Sequence, residues 1–222
     1  MFLIFDTETT GVPKNYNAPL TDFDNWPRVV QIAWQLHGED GKLLSHRNLI
    51  IRPDGFTIPF NAEKIHGIST QRALDEGLPL KDVLEILLAD MEHAQYIAGH
   101  NISFDTNVTG CEFLRAGVEA PFERKKVLDT MSLSTDFCAI PGGRGGRFKW
   151  PSLTELHEKL FGQPFGDAHD AEDCDSCADV GVLGAMVGMM GSMAAMEAIR
   201  CVTGFGKDQA GLLQIIDGLD LT

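Results

Sequence analysis

Positive charge is scarce in this chain. Its 222 residues hold 18 Lys and Arg against 32 Asp and Glu, a formal net charge of −14. So acidic a chain excludes broad electrostatic capture of nucleic acid, which needs a field of Lys and Arg. It leaves open an enzyme that holds a phosphodiester through metal ions and a few local basic groups. Arg144, Arg147 and Lys149 form one such cluster, and Arg124, Lys125 and Lys126 another; either alone reads as a solvated face. Cysteine is sparse and odd in number, with five residues at 111, 138, 174, 177 and 201. Such a set points to reduced thiols and a cytoplasmic location rather than a disulfide framework. Cys174 and Cys177 make a lone C-x-x-C without the second pair that a structural zinc site uses. Long apolar runs are also lacking. Asp6 and Glu8 interrupt the N-terminal one, so no secretory signal is expected. Val180 to Met196 carries no charge, but it is glycine-rich and shorter than the ~20 residues of a membrane helix. A packed helix or buried loop is expected there, and no membrane partner. No G-x-G-x-x-G follows a strand, which excludes a dinucleotide fold of the usual kind. No internal repeat is present.

What is present is a hydrophobic content of 44%, enough for a sizeable core. Residues 2–8 read as a first strand, Val29 to His37 as a second and Leu43 to Arg52 as a third. Glu39-Asp40-Gly41 makes a turn between the last two, so they form an antiparallel pair. Thr10 to Pro27 is a long loop rich in Pro, Asn and Asp, a candidate substrate-facing rim. Leu80 to Ala94 has helical period, with Val83, Leu84, Leu87, Leu88 and Met91 on one side. Tyr96 to His100 reads as a buried strand, Asp105 to Ala116 as a helix ended by Gly117, and Lys126 to Asp129 as a short strand before another helix. Ser152 and Glu155 make a capping box for a helix that stops at Gly162. Further on, Ser192 to Val202 reads as a helix and Leu212 to Ile216 as a strand. This order predicts an α/β fold, a mixed sheet with helices on it.

Asp6-Thr7-Glu8 is the most informative stretch. On a strand, residues i and i+2 point the same way, so Asp6 and Glu8 stand side by side at a strand end. Two adjacent carboxylates repel and lose hydration there. A hard divalent metal with oxygen ligands relieves both costs; a solvated strand end with two acids is the alternative. Asp105 follows the fourth strand at its C-terminal edge, where α/β sites are built, though an Asp at a helix start also serves as an N-cap. His169 and Asp173 are spaced to share a helical face, and an exposed loop histidine is the alternative for His169.

Taken together, Asp6-Thr7-Glu8-Thr9, His100-Asn101-x-x-Phe104-Asp105 and His169-Asp170-Ala171 resemble the motifs of the DEDD-type 3′–5′ exonucleases. The likeness is to the branch with a catalytic histidine, on a ribonuclease H-like fold. Ala62-Glu63-Lys64-Ile65-His66-Gly67-Ile68-Ser69, Pro27-Arg28-Val29-Val30-Gln31-Ile32-Ala33 and Leu153-Thr154-Glu155-Leu156 add to it. The resemblance covers Met1 to about Glu172. It implies a mixed five-stranded sheet flanked by helices. It makes Asp6, Glu8 and Asp105 metal ligands and His169 the general base. By the same resemblance Thr9, Gly11, Val12, His66, Ile68, Asn101 and Phe104 line the terminal nucleotide, although each could equally serve packing or turn geometry. Two Mg²⁺ or Mn²⁺ ions ~4 Å apart would clamp the scissile phosphate and activate a water. A histidine of ordinary pKa can take that water's proton at neutral pH. The implied substrates are single-stranded or frayed 3′ ends, DNA first; a polymerase subunit as partner is left open.

The family places an Asp five residues after its histidine, and Cys174 stands there instead, between Asp173 and Asp175. Asp173 is the expected fourth ligand. From Cys177 onward the chain resembles another family, the adenylyltransferases of the molybdopterin and thiamine pathways. Cys177 to Gly184, Val187 to Arg200 and Gly211 to Leu219 carry that likeness. The expected division is an exonuclease domain over 1–172 and an adenylyltransferase-like α/β tail over 173–222. Adenylyl transfer itself is not expected without a phosphate-binding loop. A catalytically impaired nucleic-acid-binding relic is the competing reading. Without the family's long C-terminal helix, an apolar face would be uncovered, and self-association is expected.

Overall fold

The structure, a computed structural model, describes residues 1–162. Strands β1 (Phe2–Thr9), β2 (Val29–His37), β3 (Leu43–Ile50), β4 (Tyr96–Gly99) and β5 (Lys126–Asp129) form one sheet. Its order is β3-β2-β1-β4-β5. β2 pairs antiparallel with β1 and β3, while β4 pairs parallel with β1 and β5. The helices are α1 (Phe60–His66), α2 (Thr70–Glu76), α3 (Leu80–His93), α4 (Ile102–Arg115), α5 (Thr130–Leu133), α6 (Thr135–Cys138) and α7 (Leu153–Phe161). The mixed five-stranded sheet flanked by helices is the architecture expected from the sequence.

The alternation along β1 decides what each face does. Leu3 and Phe5 enter the main core with Ile32 and Trp34 of β2, Val83, Leu87 and Met91 of α3, and Val108 and Phe113 of α4. Phe2 and Ile4 point the other way and pack with Ala98 in a smaller cluster. Asp6 and Glu8 continue this second face beyond Ile4. In the β1–β2 register they stand opposite Ala33 and Gln31.

Several boundaries differ from the sequence reading. Asp105 does not begin α4. Asn101 adopts a left-handed conformation (φ 61°, ψ 38°), so the helix starts at Ile102 and Asp105 lies in its first turn. Asn tolerates this region better than most residues, and the Asp129 carboxylate accepts its backbone N–H at 2.8 Å. β4 stops at Gly99, where only glycine fits: a Cβ there would lie 2.9 Å from the Phe5 carbonyl oxygen. β3 stops at Ile50, and Ile51 bridges to Leu78. The single helix expected after β5 is two short ones, α5 and α6. Helices α1 and α2 went unread because seven residues each are too few to show a period. The capping box of Ser152 and Glu155 is present, and α7 ends at Gly162. The helix over 192–202, the strand over 212–216 and the boundary at 172 lie outside the described residues.

One buried carboxylate ties the long loop to the core. Glu112 of α4 is fully buried. Its Oε1 accepts from Arg28 Nε at 2.8 Å, Arg115 Nη1 at 3.0 Å and the Val29 backbone N–H at 3.1 Å. Arg115 also donates to the carbonyls of Phe23, Trp26 and Pro27. The loop's exit and the start of β2 are thereby fixed against α4. Replacing Glu112 by Ala removes the carboxylate that both guanidinium groups share, leaving Arg28 and Arg115 without an ionic partner among the described residues. This costs about 3 kcal/mol, the low end for a broken buried pair because Arg115 keeps its carbonyl acceptors. Thermal denaturation should show Glu112→Ala melting lower by roughly 10 °C, with Glu112→Gln less affected. A melting point within ~2 °C of wild type would contradict this role.

Candidate active site

The site forms where β1 outruns β4. The last β1–β4 pair is Ile4 with Ala98, whereas β2 accompanies β1 to Thr9. Beyond Ala98 the neighbouring chain turns into α4 and opens a crevice at the C-terminal edge of the sheet, the usual place for α/β sites. Asp6 and Glu8 project along that edge. The ladder bulges between Glu8 and Thr9, a device that re-aims side chains and ends pairing. Past the bulge, the Thr9 hydroxyl donates to the Gly11 carbonyl at 2.6 Å, and Thr10 and Arg28 exchange bonds of 2.9 and 3.0 Å.

Asp105 arrives from the opposite face of the sheet. Its Oδ1 accepts from the Thr7 backbone N–H at 3.1 Å and from the Thr7 hydroxyl at 2.6 Å. Thr7, between the two acids, thus holds the third. Asp105 is 3% exposed. Asp6 is exposed and Glu8 half-buried at the strand end.

Desolvation governs the electrostatics. It pushes Asp6 up to about 6, against the pull of the Thr7 N–H. Glu8 is pushed up to about 7 by desolvation and by the charge of Asp6. Asp105 is held well above its ordinary range by burial and then by Asp6, with the Thr7 bonds opposing. Asp6 is therefore the group through which the three acids repel one another. Among the described residues, no Lys, Arg or His forms an ion pair with any of them. Nor do three or more His, Cys, Asp or Glu close into a metal-holding cluster there. What remains is an adjacent carboxylate pair, a third carboxylate close enough to feel it, and no counter-charge. This hard-oxygen donor set fits Mg²⁺ or Mn²⁺, which need few protein ligands and keep several waters.

The other expected residues fall into distinct places. His66 closes α1 with its Nδ1 accepting from the Ile68 N–H at 3.1 Å, while its Nε2 is buried without a partner. Burial lowers its pKa against the pull of Glu63 and the Thr9 main chain, so the ring is neutral near pH 7. Val12 is 71% exposed on the loop rim. Gly11 has open space around it. Asn101 is exposed and Phe104 half-buried at the start of α4. Ile68 is packed with Val30, Ile58, Ala62 and Ala73, so it supports the wall from behind rather than lining it. His169 and Asp173 lie outside the described residues. Sequence reasoning missed Thr7, which holds Asp105, and Asp129, which holds Asn101. Thr7 could have been singled out only by its position between two motif acids, and Asp129 only by standing at the end of a strand.

The family model described as Exonuclease (RNase_T) matches residues 3–180. No curated protein matches the chain. Among solved structures, Escherichia coli exonuclease I in complex with a dT13 oligonucleotide is 21% identical, with a TM-score of 0.58 over 91% of this chain and 41% of that one. A product-bound exonuclease I is 20% identical, with a TM-score of 0.59 over 91% and 44%. The zinc-bound E. coli ExoI–ssDNA complex is 22% identical, with a TM-score of 0.57 over 86% and 40%. This chain thus spans about two fifths of the exonuclease I chains it matches. At these identities the likeness shows the fold, which is the ribonuclease H-like one expected.

The raised acids make the metal-free fold pH-sensitive. Asp6 ionises near 3.8 when unfolded and near 6 when folded. Between those values the folded state keeps a proton that the unfolded state has lost. Stability therefore falls as pH rises through this window and stays lower above it; Glu8 extends the fall to about 7. Asp6→Asn removes the repelling charge. In EDTA at pH 8 it should melt roughly 2–4 °C above wild type, the shift of about 1 kcal/mol after discounting for solvent access. At pH 4 the two should nearly coincide. A variant melting at or below wild type at pH 8 would contradict the account.

Proposed function

We propose that this chain, which belongs to the exonuclease family, removes nucleotides from the 3′ ends of single-stranded or frayed DNA by metal-dependent hydrolysis. The observation that carries the proposal is the set of Asp6, Glu8 and Asp105 at the end of β1, raised by burial, and for Glu8 and Asp105 also by the charge of Asp6, with no basic partner among the described residues. The oligonucleotide complexes of exonuclease I support single-stranded DNA as the substrate class. The reduced thiols favour a cytoplasmic setting. No described helix is long and apolar enough to cross a membrane.

Each residue has a task in this reading. Two Mg²⁺ or Mn²⁺ ions, when bound, supply the charge that stabilises the attacking and leaving oxygens of an in-line displacement. Asp6 and Glu8 would hold them from β1. Thr7 fixes Oδ1 of Asp105, and Asp105 would complete the donor set from α4. His66, at the end of α1, meets the terminal nucleotide, a role that rests on the family likeness. Val12 offers apolar surface to its base, and Asn101 and Phe104 bound the pocket at α4. His169 takes the proton of the attacking water, and Asp173 completes the carboxylate set; both roles rest on the family likeness.

A 5′-labelled oligonucleotide incubated with Mg²⁺ should shorten stepwise from its 3′ end. Asp6→Asn should slow this by more than ~100-fold, since loss of a mere supporting partner costs up to that much. Binding of a 3′ end without turnover in both Mg²⁺ and Mn²⁺ would instead identify a relic, in line with Cys174 standing where the family has Asp.

A further inference from the structure

An acidic exonuclease must grip a polyanion without a general positive field. One part of this molecule is built for that. Residues 142–150, Gly-Gly-Arg-Gly-Gly-Arg-Phe-Lys-Trp, run between α6 and α7. Trp150 is 67% exposed and Phe148 44%. Arg144 and Arg147 are exposed and form no ion pair among the described residues. Lys149 is neutralised by Glu155 at 2.6 Å. Beside the segment lies an open cleft of about 450 Å³, lined by Arg147, Phe148 and Trp150 on one wall and Ser132, Thr135 and Asp136 on the other. That volume suits a small ligand such as a nucleoside.

The segment is not a floppy Gly/Arg tract. The Lys149 N–H donates to the Ile140 carbonyl at 2.9 Å, which closes the loop. Gly143 lies so near the returning chain that a Cβ there would sit 2.2 Å from the Phe148 carbonyl oxygen. The two rings are thus presented by a folded loop. The next residue, Pro151, ties it to the catalytic edge: its carbonyl lies 3.0 Å from His100 Nε2, one residue before Asn101.

We propose that Phe148 and Trp150, with Arg144 and Arg147 around them, form a stacking platform that holds the single strand upstream of its 3′ end. The proposal rests on the exonuclease reading for the strand's direction. Base stacking on aromatic rings tolerates any sequence and does not depend on net charge, which suits a chain of −14. The two arginines supply the local phosphate contacts, and the hydroxyls of Ser132 and Thr135 with the Asp136 carboxylate can meet base edges in the cleft.

Trp150 is its own probe, because Trp26 and Trp34 are 3% and 1% exposed. In EDTA, acrylamide should quench the Trp150 emission of the full chain, and Trp150→Phe should remove that quenchable part. A 15-nucleotide oligo-dT should protect Trp150, whereas a trinucleotide that reaches only the 3′-end site should not. Phe148→Ala with Trp150→Ala should weaken the long oligonucleotide about tenfold and the trinucleotide little. Arg144→Ala with Arg147→Ala should lower the salt slope of binding by about 2. The proposal is overturned if the long strand binds and leaves Trp150 quenchable. Equal protection by polyphosphate, or a Trp150 already shielded in the free protein, overturns it too. Protection of Trp150 without any Mg²⁺-dependent shortening would sink the catalytic reading and leave the platform standing; shortening without protection does the reverse.

Discussion

The desolvation of three carboxylates, Asp6, Glu8 and Asp105, gathered at one strand end is the constraint around which the molecule is arranged. Burial alone would favour their neutral forms, and Asp6 adds its charge against both partners. A fold selected only for stability would place a Lys or Arg there. Among the described residues no basic group pairs with them, and the rest of the fold holds the acids in place. β1 can do so because it is the middle strand, paired on both edges. Its alternation sends Leu3 and Phe5 into the core while aiming Asp6 and Glu8 along the crevice.

The surrounding structure answers that strain with rigid anchors. Thr7 binds Asp105 through both its hydroxyl and its N–H. Asp129 pins the left-handed Asn101 from β5. Glu112, deep in α4, gathers Arg28 and Arg115 and so seats the long loop behind the site. A buried ion network of this kind is weak evidence for stability, because desolvation offsets much of its attraction. Its value here is positional: loop, strand and helix meet at one carboxylate and cannot shift independently.

Much of this was legible in the chain itself. The strands of the sheet, the long loop and the capped α7 followed from hydrophobic period and turn residues, which act locally. The pairing of Asp6 with Glu8 followed from strand alternation alone. Bringing Asp105 to them needed the family likeness, because it depends on a crossover between β1 and α4. The start of α4 was misplaced because a backbone conformation at Asn101, stabilised from Asp129 across the sheet, outweighs the local signal of Asp105. The packing of Ile68 depends on α2, whose seven residues are too few to betray a helix. The roles of Thr7 and Glu112 are invisible to pattern, since each acts on residues distant in sequence.

Under the proposed function Asp6, Glu8 and Asp105 bind a divalent cation. Calorimetric titration of the metal-free protein with Mn²⁺ near pH 6.5, in two buffers of different ionisation enthalpy, tests it directly. Because Asp6 and Glu8 titrate near 6 and 7, Mn²⁺ binding should expel protons, and Asp6→Asn should abolish both the binding and the release. Absence of binding, or binding that releases no protons and survives Asp6→Asn, would contradict the account.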